Sequence, residues 1–196
     1  LRSHQQADLL TLLLGDPDVE ASLSELSNRT GVPLPTVHRE VERAQQTGLV
    51  TSRKVGNTRL VRANPDSPYF VGLADVLTKA FGPPHLLAAA LAGIDAIERA
   101  VIYGSWAARA HGEAGPRPVG DIDLLVLGDP DRDQLYAALA PVEHRLGRPV
   151  HVTIRNERWL ETATGSFHDT IVNRPMVDID IDPEGSLHGR SDRVDR

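Results

Sequence analysis

The sequence predicts an α+β chain of two domains, and three observations carry that expectation. Apolar spacing is helical as far as Gly48 and strand-like just after it. Turn-forming clusters at Asn64-Pro65-Asp66-Ser67-Pro68 and Gly82-Pro83-Pro84 break the chain between two blocks. From Arg99 onward, short apolar strands alternate with helical patterns. The expected boundaries are a first domain at 1–65, linking helices at 66–93, a second domain at 94–182 and a polar, disordered tail at 183–196. The 196 residues suit two small domains, and 40% hydrophobic against 24% charged residues is enough to bury a core in each.

Composition excludes several chemistries. With no cysteine there is no disulfide framework, thiolate zinc site or cysteine nucleophile. The histidines show no paired zinc-type spacing. No apolar run reaches the ~20 residues that span a bilayer, and no basic-then-apolar leader opens the sequence, so no membrane partner and a cytoplasmic location are expected. The net charge of −6 is unevenly spread. Residues 29–62 hold seven Lys or Arg against Glu40 and Glu42, inside an otherwise acidic chain. A local basic patch of this kind suits a face that meets phosphates.

In the first domain, Leu9, Leu10, Leu12, Leu13 and Leu14 mark a helix over 4–14 that stops at Gly15-Asp16-Pro17. Ser22 and Glu25 form a capping box that opens a helix running to about Arg29. After a turn at Gly31, Val37, Val41 and Ala44 give the stripe of a helix over 34–46, with Gly48 as its stop. Strands at 49–53 and 58–62, joined at Val55-Gly56-Asn57, complete a helix–helix–turn–helix–hairpin order, which is the winged helix-turn-helix arrangement. The stretch from Leu23 to Asn64 resembles the winged-helix modules of ArsR- and MarR-like bacterial regulators. That resemblance implies double-stranded DNA as partner, with Thr36, His38, Arg39 and Arg43 on the helix that enters the major groove. It places Arg53, Lys54 and Arg59 on the wing, near phosphates or the minor groove. The linking helix over 69–81, with Phe70, Leu73, Val76, Leu77 and Phe81 on one stripe, matches the helix that pairs such regulators as homodimers, or it packs on a neighbouring domain.

The second domain carries the strongest chemical pattern, between Arg99 and Gly128. An apolar strand, 100–103, ends in Gly104-Ser105 and a helix of small residues follows. A Gly/Pro-rich loop then delivers Asp121-Ile122-Asp123 at the head of the strand 124–127. Alternation puts both carboxylates on one face, about 7 Å apart along the strand. Hard oxygen ligands beside a turn that lets backbone approach phosphate form a constellation for Mg²⁺ and a nucleotide. The order strand, Gly-Ser, helix, loop, Asp-x-Asp, strand resembles the minimal nucleotidyltransferase domains of the polymerase-β-like superfamily over about residues 85–180. The resemblance implies a small α/β domain around a mixed sheet. It assigns Gly104, Ser105 and Arg109 to the triphosphate of an NTP and Asp121 and Asp123 to Mg²⁺.

Two departures qualify the carry-over. Fifteen residues separate Ser105 from Asp121, a longer span than minimal domains use. The next strand, 148–154, has no carboxylate where the family keeps a third acid; the matching residue is His151, a candidate general base. Asp178, Asp180 and Asp182 share a face of a terminal strand over 176–181 that the fold places away from this site. Trp106 and Trp159 read as core or rim aromatics; stacking on a base is the lesser alternative for Trp106, next to Ser105. The sequence therefore predicts a DNA-binding transcriptional regulator whose second domain binds Mg²⁺–nucleotide or is degenerate. The alternative is an active nucleotidyltransferase acting on a protein, RNA or small-molecule hydroxyl, possibly as an antitoxin-like partner of a small helical toxin.

Overall fold

A computed structural model describes residues 3–16, 19–113 and 119–181. Pro17, residues 114–118 of the Gly/Pro-rich loop, Asp182 and the tail at 183–196 lie outside the described residues. The chain is mixed α and β, and it divides into two compact units. One holds Leu1–Pro83 with Arg145–Gly147, the other Pro84–His144 with Arg148–Arg196.

The first unit opens with helix α1 (His4–Leu14), started by the Ser3 hydroxyl accepting from the Gln6 N–H at 3.2 Å. Strand β1 (Glu20–Ser22) follows and leads straight into α2 (Leu23–Thr30). Ser22 caps α2, its Oγ accepting from the Glu25 N–H at 3.1 Å, and Gly31 ends it at φ +68°. Helix α3 (Leu34–Gln46) buries Val37, Val41 and Ala44, and Gly48 leaves it at φ +71°. Strands β2 (Val50–Val55) and β3 (Thr58–Ala63) form a hairpin on a two-residue Gly56-Asn57 turn. β1 pairs antiparallel with β3, giving a sheet in the order β1-β3-β2.

Helix α4 (Phe70–Phe81) belongs to this unit's core. Leu77 is fully buried with Leu9, Leu13, Leu26, Val41 and Val61, and Phe70, Leu73 and Phe81 pack around them. Of the expected stripe, Phe70, Leu73, Leu77 and Phe81 pack in the first unit's core, while Val76 is exposed. Burying a Leu or Ile side chain stabilises by roughly 1.5–3 kcal/mol, so this cluster outweighs the weak intrinsic stability of short helices.

Helix α5 (Pro83–Leu91), which apart from Pro83 belongs to the second unit, starts two residues earlier than the Gly82-Pro83-Pro84 break suggested. Proline fits the first turn of a helix, where its missing N–H has no partner to lose. Strand β4 (Ile97–Tyr103) passes into α6 (Gly104–Ala110) and then β5 (Ile122–Gly128). Helix α7 (Arg132–Leu146) leads to β6 (Val150–Arg155). Two short helices, α8 (Trp159–Thr162) and α9 (Ser166–Val172), precede β7 (Val177–Ile179).

The sheet order is β6-β5-β4-β7 and the sheet is mixed. β4 pairs antiparallel with β5 and β7, while β5 and β6 run parallel with α7 as the crossover. One face carries Ala100, Ile102, Ile122, Leu124 and Val126, all fully buried. The other carries Val101, Leu125 and Leu127, which form a core with Ile171 of α9 and with Trp159 and Leu160 of α8 packed beside it.

Candidate functional site

The polar end of that second face is built by strand register. Tyr103, the last residue of β4, lies opposite Asp123, and Asp123 lies opposite His151. Asp121 precedes β5 by one residue, so alternation returns its side chain to the face of Asp123. The ligand atoms of Asp121, Asp123 and His151 all lie within 4.8 Å of one another. His151 Nδ1 is 3.3 Å from Asp121 Oδ2. His151 and Asp121 keep 61% and 37% of their side-chain surface, so the cluster is open to solvent on one side.

Gly104 completes the end wall. It has φ +73°, and a Cβ built on it would overlap Asp123 Oδ2. The Gly-Ser turn is therefore pressed against the Asp123 carboxylate, and only glycine fits there. Ser105 follows, exposed, in the first turn of α6, and Arg109 stands one turn on, partly buried. Trp106, by contrast, is 7% exposed and packed into the core, so its ring is out of reach of a ligand.

Electrostatics mark Asp123 within the cluster. Its carboxyl is held above the usual Asp range by burial first and by the neighbouring Asp121 charge second, with His151 opposing. Such a site gains from a divalent cation, which removes the carboxylate repulsion. The donor set of two carboxylates and one imidazole fits a divalent ion, with the exposed side left for water or phosphate oxygens. Tyr103, whose phenol burial pushes up, shares a hydrogen bond of 3.2 Å with Thr153 Oγ1 next to the cluster.

The remaining acids lie elsewhere. Asp178, on β7, pairs with Arg99 Nε at 2.7 Å, and β7 borders β4 on the side away from β5 and β6.

On the first unit, the basic residues are largely engaged. Arg43 pairs with Glu40 at 2.7 Å. Arg53 forks onto both Glu20 oxygens, its Nε at 2.7 Å, and this holds the Glu20 carboxyl below its ordinary range. Arg59 donates to Gln45 at 2.6 Å and to Ser52 at 3.3 Å. His38 Nδ1 lies 3.5 Å from Glu42. Arg39 is exposed and reaches back to Thr36 Oγ1 at 3.4 Å, and Lys54 is exposed on the hairpin opposite Arg59. α3 thus presents Thr36, His38, Arg39 and Arg43 away from its buried stripe, and β2–β3 present Arg53, Lys54 and Arg59.

Sequence reasoning missed Tyr103 and Thr153 at the site and Glu20 as the partner of Arg53. Tyr103 had a signal, since it directly precedes Gly104-Ser105 at a strand end. Glu20 had none, because a three-residue strand leaves no periodicity to read. No protein-family model, curated protein or solved structure matches the chain. No helix among the described residues is long and apolar enough to cross a membrane.

Proposed function

We propose that the second unit binds a nucleoside triphosphate through a divalent cation, and that the first unit binds double-stranded DNA, making the chain a nucleotide-responsive transcriptional regulator. The convergence of Asp121, Asp123 and His151 carries this reading. Three ligand groups, from β5, the residue just before it and β6, meet at one open point, with the Gly104-Ser105 turn against the Asp123 carboxylate. Asp121, Asp123 and His151 would hold the ion, Mg²⁺ being the expected occupant, and Ser105 and Arg109 would contact the triphosphate. The cation itself supplies charge neutralisation between carboxylates and phosphates. The winged-helix likeness of residues 23–64, the basic balance of residues 29–62 and the exposed Arg39 and Lys54 support the DNA half. Dimerisation, and a palindromic site with it, stays an expectation from that likeness.

The second reading is active nucleotidyl transfer. An acceptor hydroxyl would lose its proton and form a bond to the α-phosphorus as pyrophosphate leaves. His151 favours it, because an imidazole beside the two carboxylates is a side chain of the kind that serves as a general base. A nitrogen committed to a cation has no lone pair for a proton, however, so the same residue argues for binding over transfer.

Both halves are tested by one set of titrations on the full chain. Duplex DNA at low salt should bind, and Arg39→Ala should weaken binding and flatten its salt dependence. Nucleoside triphosphate with Mg²⁺ should bind, and Asp121→Asn should abolish that while leaving DNA binding intact. Failure to bind any duplex at low salt removes the regulator reading. Label transfer from a triphosphate, lost in Asp121→Asn, would replace it by the enzyme.

A further inference from the structure

We infer that the exposed ring of Phe167 is the stacking shelf for the base of the nucleotide whose phosphates are held at Asp121, Asp123 and His151. The inference rests on the nucleotide reading of that cluster and adds the element that recognises the other end of the ligand.

Phe167 sits at the start of α9 with 44% of its surface exposed. It packs against three neighbours. Tyr103 meets it edge-on with ring centroids 6.3 Å apart, Trp159 lies 5.8 Å away at a tilt, and the Arg155 guanidinium stands 5.8 Å from its centroid. The same guanidinium stands 5.6 Å from the Trp159 ring. Trp159 is in turn wedged against His168 at 5.1 Å, and His168 Nε2 is tied to the Leu160 carbonyl at 3.1 Å.

An isolated exposed phenylalanine needs no explanation. This one packs against two other rings beside a guanidinium, and it lies on the sheet face that carries the carboxylates. Tyr103 links the two, being the register partner of Asp123 and the edge partner of Phe167. Along β6 the same face runs His151, Thr153, Arg155, so the backbone positions of His151 and Arg155 stand about 13 Å apart along the strand. That strip, carboxylate–imidazole at one end and ring–guanidinium at the other, matches a ligand with a metal-bound phosphate tail and a flat aromatic head. Stacking on a ring tolerates every base, because every base has a π face. The shelf therefore predicts retention of all four nucleoside triphosphates with little discrimination.

The test is calorimetric titration of the full chain with each of the four nucleoside triphosphates, and with tripolyphosphate, all with Mg²⁺ present. Phe167→Ala should weaken every nucleoside triphosphate roughly tenfold and leave tripolyphosphate unchanged, while Phe167→Tyr should keep wild-type affinity. Unchanged nucleotide affinity in Phe167→Ala overturns the shelf and leaves the metal–phosphate site standing. Equal weakening of nucleotide and tripolyphosphate also overturns it, by showing a general disturbance of the site. A wild-type chain that binds neither ligand overturns both this inference and the nucleotide reading.

Discussion

His151 Nδ1 lies 3.3 Å from Asp121 Oδ2. With Asp123 beside them, these two groups would hold a divalent ion, which would neutralise the paired carboxylates. An imidazole in place of a third carboxylate also changes which ions the site prefers, because imidazole nitrogen binds transition-series ions more tightly than Mg²⁺. With metal alone, Mn²⁺ should therefore bind more tightly than Mg²⁺ by calorimetry. His151→Asp should narrow that preference; equal preference in wild type and variant would remove His151 from the ligand set.

The raised carboxyl of Asp123 gives a pH dependence with a definite sign. Its folded-state value lies above the ordinary 3.8, so the folded chain holds that proton more tightly than the unfolded one. Ionised Asp123 is thus a penalty on the metal-free fold, absent below the ordinary Asp range and fully present once pH exceeds the raised value. Asp123→Asn should raise the melting temperature in EDTA at neutral pH and lose that advantage in acid. It should also erase the stabilisation that divalent ions give the wild type. A variant less stable than wild type in EDTA at neutral pH would contradict the repulsion described for this cluster.

Gly104→Ala should fail in two ways at once. A side chain at φ +73° costs about 1–2 kcal/mol, and its Cβ would displace the Asp123 carboxylate. Urea unfolding should report the first effect and Mg²⁺–nucleotide titration the second. Full stability together with full binding would mean that the Gly104–Asp123 contact is not required.

Glu20 holds the Arg53 guanidinium in a two-point grip on the hairpin. Glu20→Gln should release that charge toward phosphate, strengthening binding to duplex DNA and steepening its salt dependence by up to about one counterion. The pair itself is stable above the ordinary Glu range and lost as pH falls through the lowered Glu20 value, so the two proteins should converge in acid. Weaker DNA binding by the variant in gel-shift or fluorescence titration would show instead that Glu20 positions Arg53 for contact.

Elements with strong local signals are those the sequence announces. The Ser22–Glu25 capping box, the Val37–Val41–Ala44 stripe and the Gly48 stop appear in α2 and α3 as their residue types require. The Asp121–Asp123 pairing follows from alternation alone, while His151 is singled out by the nucleotidyltransferase resemblance, as the residue where that family keeps a third acid. What was not legible depends on tertiary partners. β1 is three residues long and exists because β3 offers it a free edge. α8 and α9 are four and seven residues long, and they hold through Trp159, Leu160 and Ile171 on the sheet rather than through helical periodicity. Phe167, Tyr103 and Arg155 come together only through that packing, so no spacing in the sequence brings them to one place.

The most direct test of the metal–nucleotide site is a thermal-shift titration of the full chain with nucleoside triphosphate, with and without Mg²⁺, beside Asp121→Ala/Asp123→Ala. At a hundred times its dissociation constant a ligand stabilises by about 2.7 kcal/mol, a shift such a scan resolves. A Mg²⁺-dependent rise in wild type that vanishes in the double variant is the result expected. No rise with any of the four triphosphates, or an equal rise in the double variant, would contradict the site.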